Sequence, residues 1–429
     1  MSLSSHTTHQ ARTFSGVSLW LPLVLVVSLF FLWGVANNLN DILITQFKKA
    51  FLLSDFASGW VQSAFYFGYF ALAIPAAVAM KRFGYKAAVI IGLLLYGLGA
   101  SLFYPAALAH EYSYFLLALF VIASGLAFLE TSANPMIVAM GDPETAERRL
   151  NFAQSFNSLG TISGVLIGRE FILSGVEHSP DALARMSEVE RTAFYTGEVQ
   201  AVAGPYLAIA AVVFFWALAV ACVRFPPLGS EYVQEKREFR LADFRALLKE
   251  RYYLFGVVAQ FFYVGAQVCI WSYMIRYGQS ALPGVGEKAL ADYLAASLVA
   301  FMVGRFVATG LMGRIAPARL MFAYALISVG LCLVAILWPT HLGLLALVST
   351  SFFMSLMFPT IFALSLKGLG PLAKAGSSLL IMAIIGGAII TALMGLVSDL
   401  TRINISVVVP LACFLVVAAF ARRSVRGAG

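Results

Sequence analysis

Two carboxylates, Asp41 and Glu130, lie within long apolar stretches of this sequence. If such a stretch crosses a lipid bilayer, a charged residue in it costs about 2.5–3.5 kcal/mol on insertion scales and usually marks a functional site. A low-dielectric environment opposes ionisation of a carboxyl, so the group can hold a proton near neutral pH. We therefore expect Asp41 and Glu130 to bind and release protons. The alternative is a structural carboxylate that is paired with a buried Arg or capped by amides.

Amide side chains accompany both carboxylates at helical spacing. Asn37, Asn38 and Asp41 occupy positions i, i+1 and i+4, which face one sector of a helix. Glu130 precedes Asn134 by four residues, which is one turn along the same face. The sequence therefore predicts that these three amides belong to the same site as the carboxylates.

Two later stretches carry further polar and aromatic side chains. One stretch holds Gln154 and Asn157, three residues apart. The other has a stripe at i, i+3, i+7 and i+11, formed by Gln260, Tyr263, Gln267 and Trp271. Amides supply paired donors and acceptors, and aromatic faces stack on the C–H faces of a pyranose ring. The combination is typical of a site for a neutral polyol, although amides also join neighbouring helices, at about 0.6–2 kcal/mol per hydrogen bond.

The elements that hold these residues must be membrane helices. Of 429 residues, 61% are hydrophobic and 12% are charged, whereas soluble domains are typically ~25% charged. So few charges cannot cover a soluble surface, which excludes a water-soluble globular enzyme, a disordered chain and a disulfide scaffold. Twelve apolar stretches, numbered here as spans 1 to 12, reach the ~20 residues that a membrane helix needs. They are, approximately, 18–47, 56–80, 86–108, 113–140, 147–173, 199–224, 252–278, 288–312, 317–338, 342–366, 372–398 and 403–422.

The basic residues indicate an orientation for these spans. If both termini are cytoplasmic, 21 of the 29 Lys and Arg residues fall in cytoplasmic segments or adjoining helix ends, and Arg305 is among them. This bias follows the positive-inside rule. The net charge of +8 is therefore a sign of membrane topology, and we expect no nucleic-acid partner. We also expect the first span to be retained and not cleaved as a signal peptide.

The chain divides into two halves of six spans each. We predict a cytoplasmic tail at 1–17, a first six-helix bundle at 18–224, a cytoplasmic linker at 225–251, and a second bundle with a short basic tail at 252–429. The halves resemble each other: Pro135 in span 4 and Pro359 in span 10 are 224 residues apart. An all-α polytopic membrane protein with twelve transmembrane helices in two bundles is the major facilitator fold, which has a central cavity between the bundles.

Catalytic and metal-binding patterns are missing from the sequence. It contains no GxxxxGKS/T loop for ATP, no HExxH pattern and no Ser/His/Asp arrangement. The five His residues lie in the tail, in loops or at span borders, and the four Cys residues lie in apolar runs without CxxC spacing. We therefore expect no metal, no cofactor other than protons as the coupling ion, and no enzymatic activity.

Seven segments carry a resemblance to a known family. They are residues 31–43 (FLWGVANNLNDIL), 62–70 (QSAFYFGYF), 129–135 (LETSANP), 153–158 (AQSFNS), 263–267 (YVGAQ), 271–277 (WSYMIRY) and 384–387 (IIGG). In these segments the chain resembles the L-fucose–proton symporters, or fucose permeases, a family within the major facilitator superfamily. The resemblance implies an importer in the bacterial inner membrane, which couples L-fucose or a related monosaccharide to protons. We expect it to work by alternating access and to function as a monomer.

The resemblance also assigns roles to individual residues. The two essential carboxylates of the family correspond to Asp41 and Glu130, and its polar cavity positions correspond to Asn38, Gln154 and Asn157. The sequence differs from the family at Phe358, where the fucose transporters have a Tyr. Two alternatives remain open: a glucose- or galactose-type symporter of the same family, and a membrane sugar sensor that does not transport.

Overall fold

The structure is a computed structural model that describes residues 20–53, 60–140, 142–172, 186–225, 241–285 and 287–427. Within these residues the chain is helical between short turns and contains no strand. The predicted N-terminal tail, 1–17, lies outside the described residues, as does 226–240 of the predicted linker.

The first half consists of six spans, of which two are broken. They are Trp20–Ala50 (span 1), Trp60–Phe83 (span 2), Tyr85–Ser101 with Phe103–Ala109 (span 3), Tyr112–Ala139 (span 4), Ala146–Phe171 (span 5) and Glu188–Gln200 with Ala203–Cys222 (span 6). Span 6 therefore begins about ten residues earlier than the apolar pattern predicts. A capping box between Ser187 and Glu190 starts its polar first helix.

The second half follows a short helix at Leu241–Leu247 and again has six spans. They are Arg251–Ala281 (span 7), Glu287–Leu311 (span 8), Pro317–Leu337 (span 9), His341–Met354 with Met357–Leu366 (span 10), Ala373–Met382 with Gly386–Leu400 (span 11) and Ile403–Ser406 with Val408–Gly427 (span 12). The break in span 10, at Ser355 and Leu356, lies about one helical turn before Pro359, which has no N–H to donate to the carbonyl group one turn earlier.

Hydropathy supports a membrane location for most of these helices. Ten helices in the described residues are long and apolar enough to cross a membrane, and in span 1 a shorter apolar part covers Leu21–Asn37. Span 5 is a helix of 26 residues that carries charged and amide side chains along its length. Two of these amides, Gln154 and Asn157, line a cavity between the two bundles.

Glycines bring span 1 and span 5 into backbone contact within the first bundle. A Cβ built on Gly160 would overlap the carbonyl oxygen of Phe31, and one built on Gly34 would overlap the carbonyl oxygen of Asn157. Only residues without a side chain allow two helices to approach this closely. This contact places Asn157 beside the centre of span 1.

The two bundles touch mainly at one end. Span 5 packs against spans 8 and 10, and span 2 packs against span 11. Asn151 of span 5 donates a hydrogen bond from Nδ2 to Oγ1 of Thr360 in span 10, at 3.1 Å. The ammonium of Lys374, at the start of span 11, lies 5.1 Å from the ring centre of Tyr85, at the start of span 3. This is the end at which the sequence places the cytoplasmic basic residues.

The short helix Leu241–Leu247 lies at the same end. Its Asp243 forms an ion pair with Lys81 at the end of span 2, and the helix packs against the first part of span 11. The segment that joins the two halves in sequence therefore contacts both of them.

Candidate functional site: a polar cavity between the two bundles

A cavity of about 200 Å³ lies between the bundles, and both halves line it. From the first half the lining residues are Trp33, Asn37, Phe65, Tyr66, Tyr69, Glu130, Gln154, Asn157 and Thr161. From the second half they are Val264, Gln267, Val268, Trp271, Ser272, Phe301, Arg305, Phe358 and Ile384. Most polar groups come from the first half, while the second half supplies most of the apolar wall and the cation.

Glu130 lies in the cavity wall with only 5% of its surface exposed. The hydroxyl of Tyr69, in span 2, donates a hydrogen bond to Oε1 of Glu130 at 2.9 Å. The same hydroxyl lies 3.4 Å from Oδ1 of Asn37 in span 1. Because a phenol has one proton to donate, Asn37 and Glu130 compete for Tyr69.

Gln154 connects three parts of the site. Its Nε2 donates to Oδ1 of Asn134 at 3.0 Å. Asn134 is fully buried and does not line the cavity, so it holds the Gln154 amide from the side away from the cavity. On the other side, Nη1 of Arg305 donates to the main-chain oxygen of Gln154 at 2.6 Å and approaches its Oε1 at 3.3 Å. Gln154 is therefore a contact between the two bundles as well as a wall residue.

Asn157 has both a structural contact and a place in the wall. Its Nδ2 donates to the main-chain oxygen of Phe30 at 3.2 Å, which joins span 5 to span 1, while the residue also lines the cavity. Asn157 is therefore consistent with both interpretations of the amides, as a substrate contact and as an interhelical hydrogen bond.

An aromatic group forms the opposite wall. Nε1 of Trp271 donates to Oγ of Ser351 at 3.1 Å, which fixes the orientation of the indole. The edge of Trp271 meets Phe301, with ring centres 5.0 Å apart and planes at 79°. Arg305 lies over the other part of this cluster, with Cζ 4.6 Å from the ring centre of Phe301. Gln267 adds an amide beside this wall.

Arg305 is a cavity residue, and its assignment to the cytoplasmic helix ends was wrong. Only 3% of its surface is exposed, and its Nε donates to the main-chain oxygen of Ser355 in span 10 at 2.8 Å. A Cβ on the preceding residue, Gly304, would overlap the carbonyl oxygen of Phe352, so span 8 lies directly on span 10 next to Arg305. Arg305 falls within predicted span 8, so it is a charge inside an apolar run, and the pattern that marks Glu130 as a functional residue marks Arg305 as well.

The remaining predicted site residues have other positions. Gln260 and Tyr263 are buried behind the wall and do not line the cavity. Asn38 and Asp41 lie on the helix of span 1, but their side chains are outside the described part of the structure. Phe358 does line the cavity, with its ring centre 6.4 Å from that of Tyr263.

Sequence reasoning missed several lining residues. Trp33, Phe65, Tyr66 and Tyr69 are aromatic residues in apolar helices, and nothing in a single sequence distinguishes an aromatic that faces the cavity from one that faces lipid. Among the described residues, no group of three or more His, Cys, Asp or Glu side chains could hold a metal ion. The described lining residues supply hydrogen-bonding groups, aromatic rings, the carboxyl of Glu130 and the guanidinium of Arg305.

Comparison with known proteins places this arrangement in a family. The family model of the Major Facilitator Superfamily matches residues 23–394. The L-fucose-proton symporter of Escherichia coli (strain K12) is 46% identical over 405 residues, covering 94% of this chain and 92% of that protein. The glucose/galactose transporter of Brucella abortus biovar 1 (strain 9-941) is 32% identical over 420 residues, covering 97% of each.

A solved structure agrees with the sequence comparisons. A crystal structure of a major facilitator superfamily transporter, FucP, in the outward conformation has a TM-score of 0.87 and 46% sequence identity, and the match covers 94% of this chain and 98% of that one. The predicted fold class, twelve transmembrane helices in two bundles, is thereby confirmed. This chain belongs to the major facilitator superfamily and, within it, to the family of the L-fucose–proton symporters.

Proposed function

We propose that the protein imports L-fucose together with protons by alternating access of the cavity to the two sides of the membrane. One observation carries the proposal: a buried carboxyl, Glu130, lies in a cavity between the bundles, opposite a wall that combines amides with an indole. Amides and an aromatic face suit a neutral sugar, and a buried carboxyl suits a proton. The names of the relatives support both parts. The proposal makes the protein a transporter and assigns it no enzymatic step.

In this proposal Glu130 and Asp41 carry the coupled proton. Glu130 is protonated when sugar binds, because a neutral carboxyl is compatible with a desolvated cavity and can donate a hydrogen bond to a sugar hydroxyl. Asp41, one helical turn from Asn37 and Asn38, accepts or relays the proton nearer the outside.

The sugar contacts are divided between the bundles. The amides of Asn37, Asn38, Gln154 and Asn157 hydrogen-bond the hydroxyls on one side. Trp271 and Gln267 contact the opposite face of the ring, with the indole fixed by Ser351. The buried residues Asn134, Gln260 and Tyr263 complete the predicted set, and Asn134 acts by holding Gln154 in place.

The proposed setting is the bacterial inner membrane, with both termini cytoplasmic and a single chain as the functional unit. The end of the molecule that carries Lys81, Arg149 and Lys374 then faces the cytoplasm. Since the bundles touch at that end, the described arrangement has its cytoplasmic side closed.

Uptake into proteoliposomes tests the proposal. The purified protein is reconstituted, and labelled L-fucose uptake is followed with and without an imposed inward proton gradient, in competition with a panel of unlabelled sugars. We expect accumulation that depends on the gradient, and we expect L-fucose to compete better than glucose or galactose. Better competition by glucose or galactose would favour the alternative of a glucose- or galactose-type symporter of the same family. Sugar binding without any uptake would favour the sensor.

A further inference from the structure

We propose that Arg305 is a positioning residue that links the protonation of Glu130 to the contact between the two bundles. The inference rests on the proposed function, because it needs Glu130 to gain and lose a proton during transport. In the described arrangement the Arg305 guanidinium joins the bundles, and it is released from that contact when it neutralises the Glu130 carboxylate.

The geometry shows how Arg305 joins the bundles. Its Nε is held within the second half by the main-chain oxygen of Ser355 at 2.8 Å. Its Nη1 crosses to the first half and donates to the main-chain oxygen of Gln154 at 2.6 Å. A charge-assisted hydrogen bond of this length is strong. A substitution of the Gln154 side chain cannot remove it, because the acceptor is the backbone.

The charge of Arg305 is compensated only in part. The guanidinium is buried and is supported by two carbonyl dipoles and the ring of Phe301. Arg305 and Glu130 line the same cavity and are close enough to interact electrostatically, yet they form no ion pair in this arrangement of the described residues. Burying a cation without a counter-ion costs free energy, and an ionised Glu130 in the same cavity could serve as the counter-ion of Arg305.

Two arrangements of Arg305 follow from these contacts. While the bundles are joined, Gln154 and Ser355 hold the guanidinium and Glu130 keeps its proton. When the bundles part at Gln154, Arg305 loses a partner and pairs with Glu130, which favours the release of the proton on that side. By linkage, a proton on Glu130 stabilises the joined arrangement to the same degree that joining raises the proton affinity.

The other titratable groups that face this pair in the described structure are phenols. Tyr69 and Tyr66 come from span 2, Tyr96 interacts with Tyr69 from span 3, and Tyr263 lies beside Arg305 from span 7. Phenols stay protonated through the range in which a carboxyl titrates. Because these phenols stay neutral, Arg305 is the charged group among them that can interact with an ionised Glu130.

The first test compares Arg305→Met with Arg276→Gln, a matched control in which an exposed Arg of span 7 is removed. We expect Arg305→Met to exchange labelled for unlabelled L-fucose but to lose at least ~10-fold in gradient-driven accumulation. Sugar binding to this variant should persist to a pH about one unit or more higher than in the wild type, since the cation that favours ionisation is absent. Arg276→Gln should match the wild type in both assays.

The second test measures the bundle contact directly. Spin labels at Glu144 and Arg314, both exposed and at the predicted cytoplasmic end, report the distance between the halves after the exposed Cys222 is replaced by Ser. In the wild type, raising the pH should shift the population toward longer distances. In the Arg305→Met background the distance distribution should no longer respond to pH.

The outcomes separate this inference from the proposed function. If the wild type does not accumulate L-fucose, the proposed function fails, whatever Arg305 does. If the wild type accumulates sugar and Arg305→Met does so equally, or keeps the wild-type pH dependence, the inference is wrong. If Arg305→Met does not fold, Arg305→Gln replaces it, because a Gln amide can still donate a hydrogen bond to a carbonyl oxygen but carries no charge. A wild-type pH dependence in Arg305→Gln would also overturn the inference.

Discussion

The hydroxyl of Tyr69 donates a hydrogen bond to Oε1 of Glu130 at 2.9 Å, inside the cavity that separates the bundles. The two residues come from spans 2 and 4, 61 positions apart in the sequence. The phenol therefore supplies a hydrogen-bond donor to the carboxyl, and Asn37 is a second acceptor within reach of the same hydroxyl. The protonation of Glu130 therefore depends on Tyr69 as well as on burial.

Removal of the Tyr69 hydroxyl should change the pH dependence of sugar binding. A hydrogen bond donated to a carboxylate favours the ionised form, so Tyr69→Phe should keep Glu130 protonated, and sugar bound, to a higher pH. A charge-assisted hydrogen bond contributes about 1.5–3 kcal/mol, so the pH at which sugar binding is lost should rise by about one to two units. Binding measured across pH by quenching of tryptophan fluorescence checks this, with Tyr104→Phe, an exposed tyrosine of span 3, as the control. A shift toward lower pH would contradict the assigned direction of the bond.

Glu130→Gln should separate binding from accumulation. Glutamine has the size of the protonated carboxyl but cannot release a proton, so the variant should bind sugar and exchange labelled for unlabelled sugar. It should not accumulate sugar against a gradient, because the empty carrier cannot unload the proton inside. In the wild type, sugar binding should weaken at alkaline pH as Glu130 ionises. In Glu130→Gln, which has no carboxyl at this position, sugar binding should not weaken for this reason. Gradient-driven accumulation by the variant would exclude Glu130 from the coupling and shift the role to Asp41.

Gln154→Ala and Asn157→Ala should each weaken sugar binding by about tenfold, equal to ~1.4 kcal/mol. Both residues line the cavity, and each substitution removes hydrogen-bond partners from its wall. Isothermal titration calorimetry, in which sugar is titrated into the folded fraction of each variant, measures the affinity for the sugar. For Asn157, the bond to the main-chain oxygen of Phe30 adds a structural contribution. A lower yield of folded protein with unchanged affinity in the remainder would support the interpretation that these amides only join helices.

Gly160→Ala should destabilise the first bundle. The added methyl would overlap the carbonyl oxygen of Phe31, and overpacking of this kind costs about 1–3 kcal/mol. Span 5 would move away from span 1 and take Asn157 with it. Thermal unfolding in detergent measures the effect. The matched control is Gly330→Ala in span 9, where a Cβ meets nothing within 4 Å. Equal melting temperatures for the two variants would show that the backbone contact is not a tight one.

The class of the protein and one charged residue of its site are predictable from the sequence alone. Hydropathy predicts the twelve spans because each membrane helix must satisfy its own backbone hydrogen bonds within about 20 apolar residues. Glu130 stands out for the same reason, since a charge within such a run is costly. Gln154, Asn157, Gln267 and Trp271 were found because amide and aromatic residues recur at helical spacing, and the structure places all four at the cavity.

Which other residues line the cavity depends on how the helices pack against one another. In a membrane helix, the lipid-facing side and the protein-facing side are equally apolar, so hydropathy does not reveal the direction of a side chain. For that reason Tyr69 was not singled out, and Gln260 and Tyr263, which share a stripe with Gln267, lie behind the wall. Arg305 was assigned to a helix end because a basic residue near an apolar boundary is usually cytoplasmic. Its orientation in the cavity depends on hydrogen bonds to the main-chain oxygens of Ser355 and Gln154, which are contacts between residues far apart in the sequence.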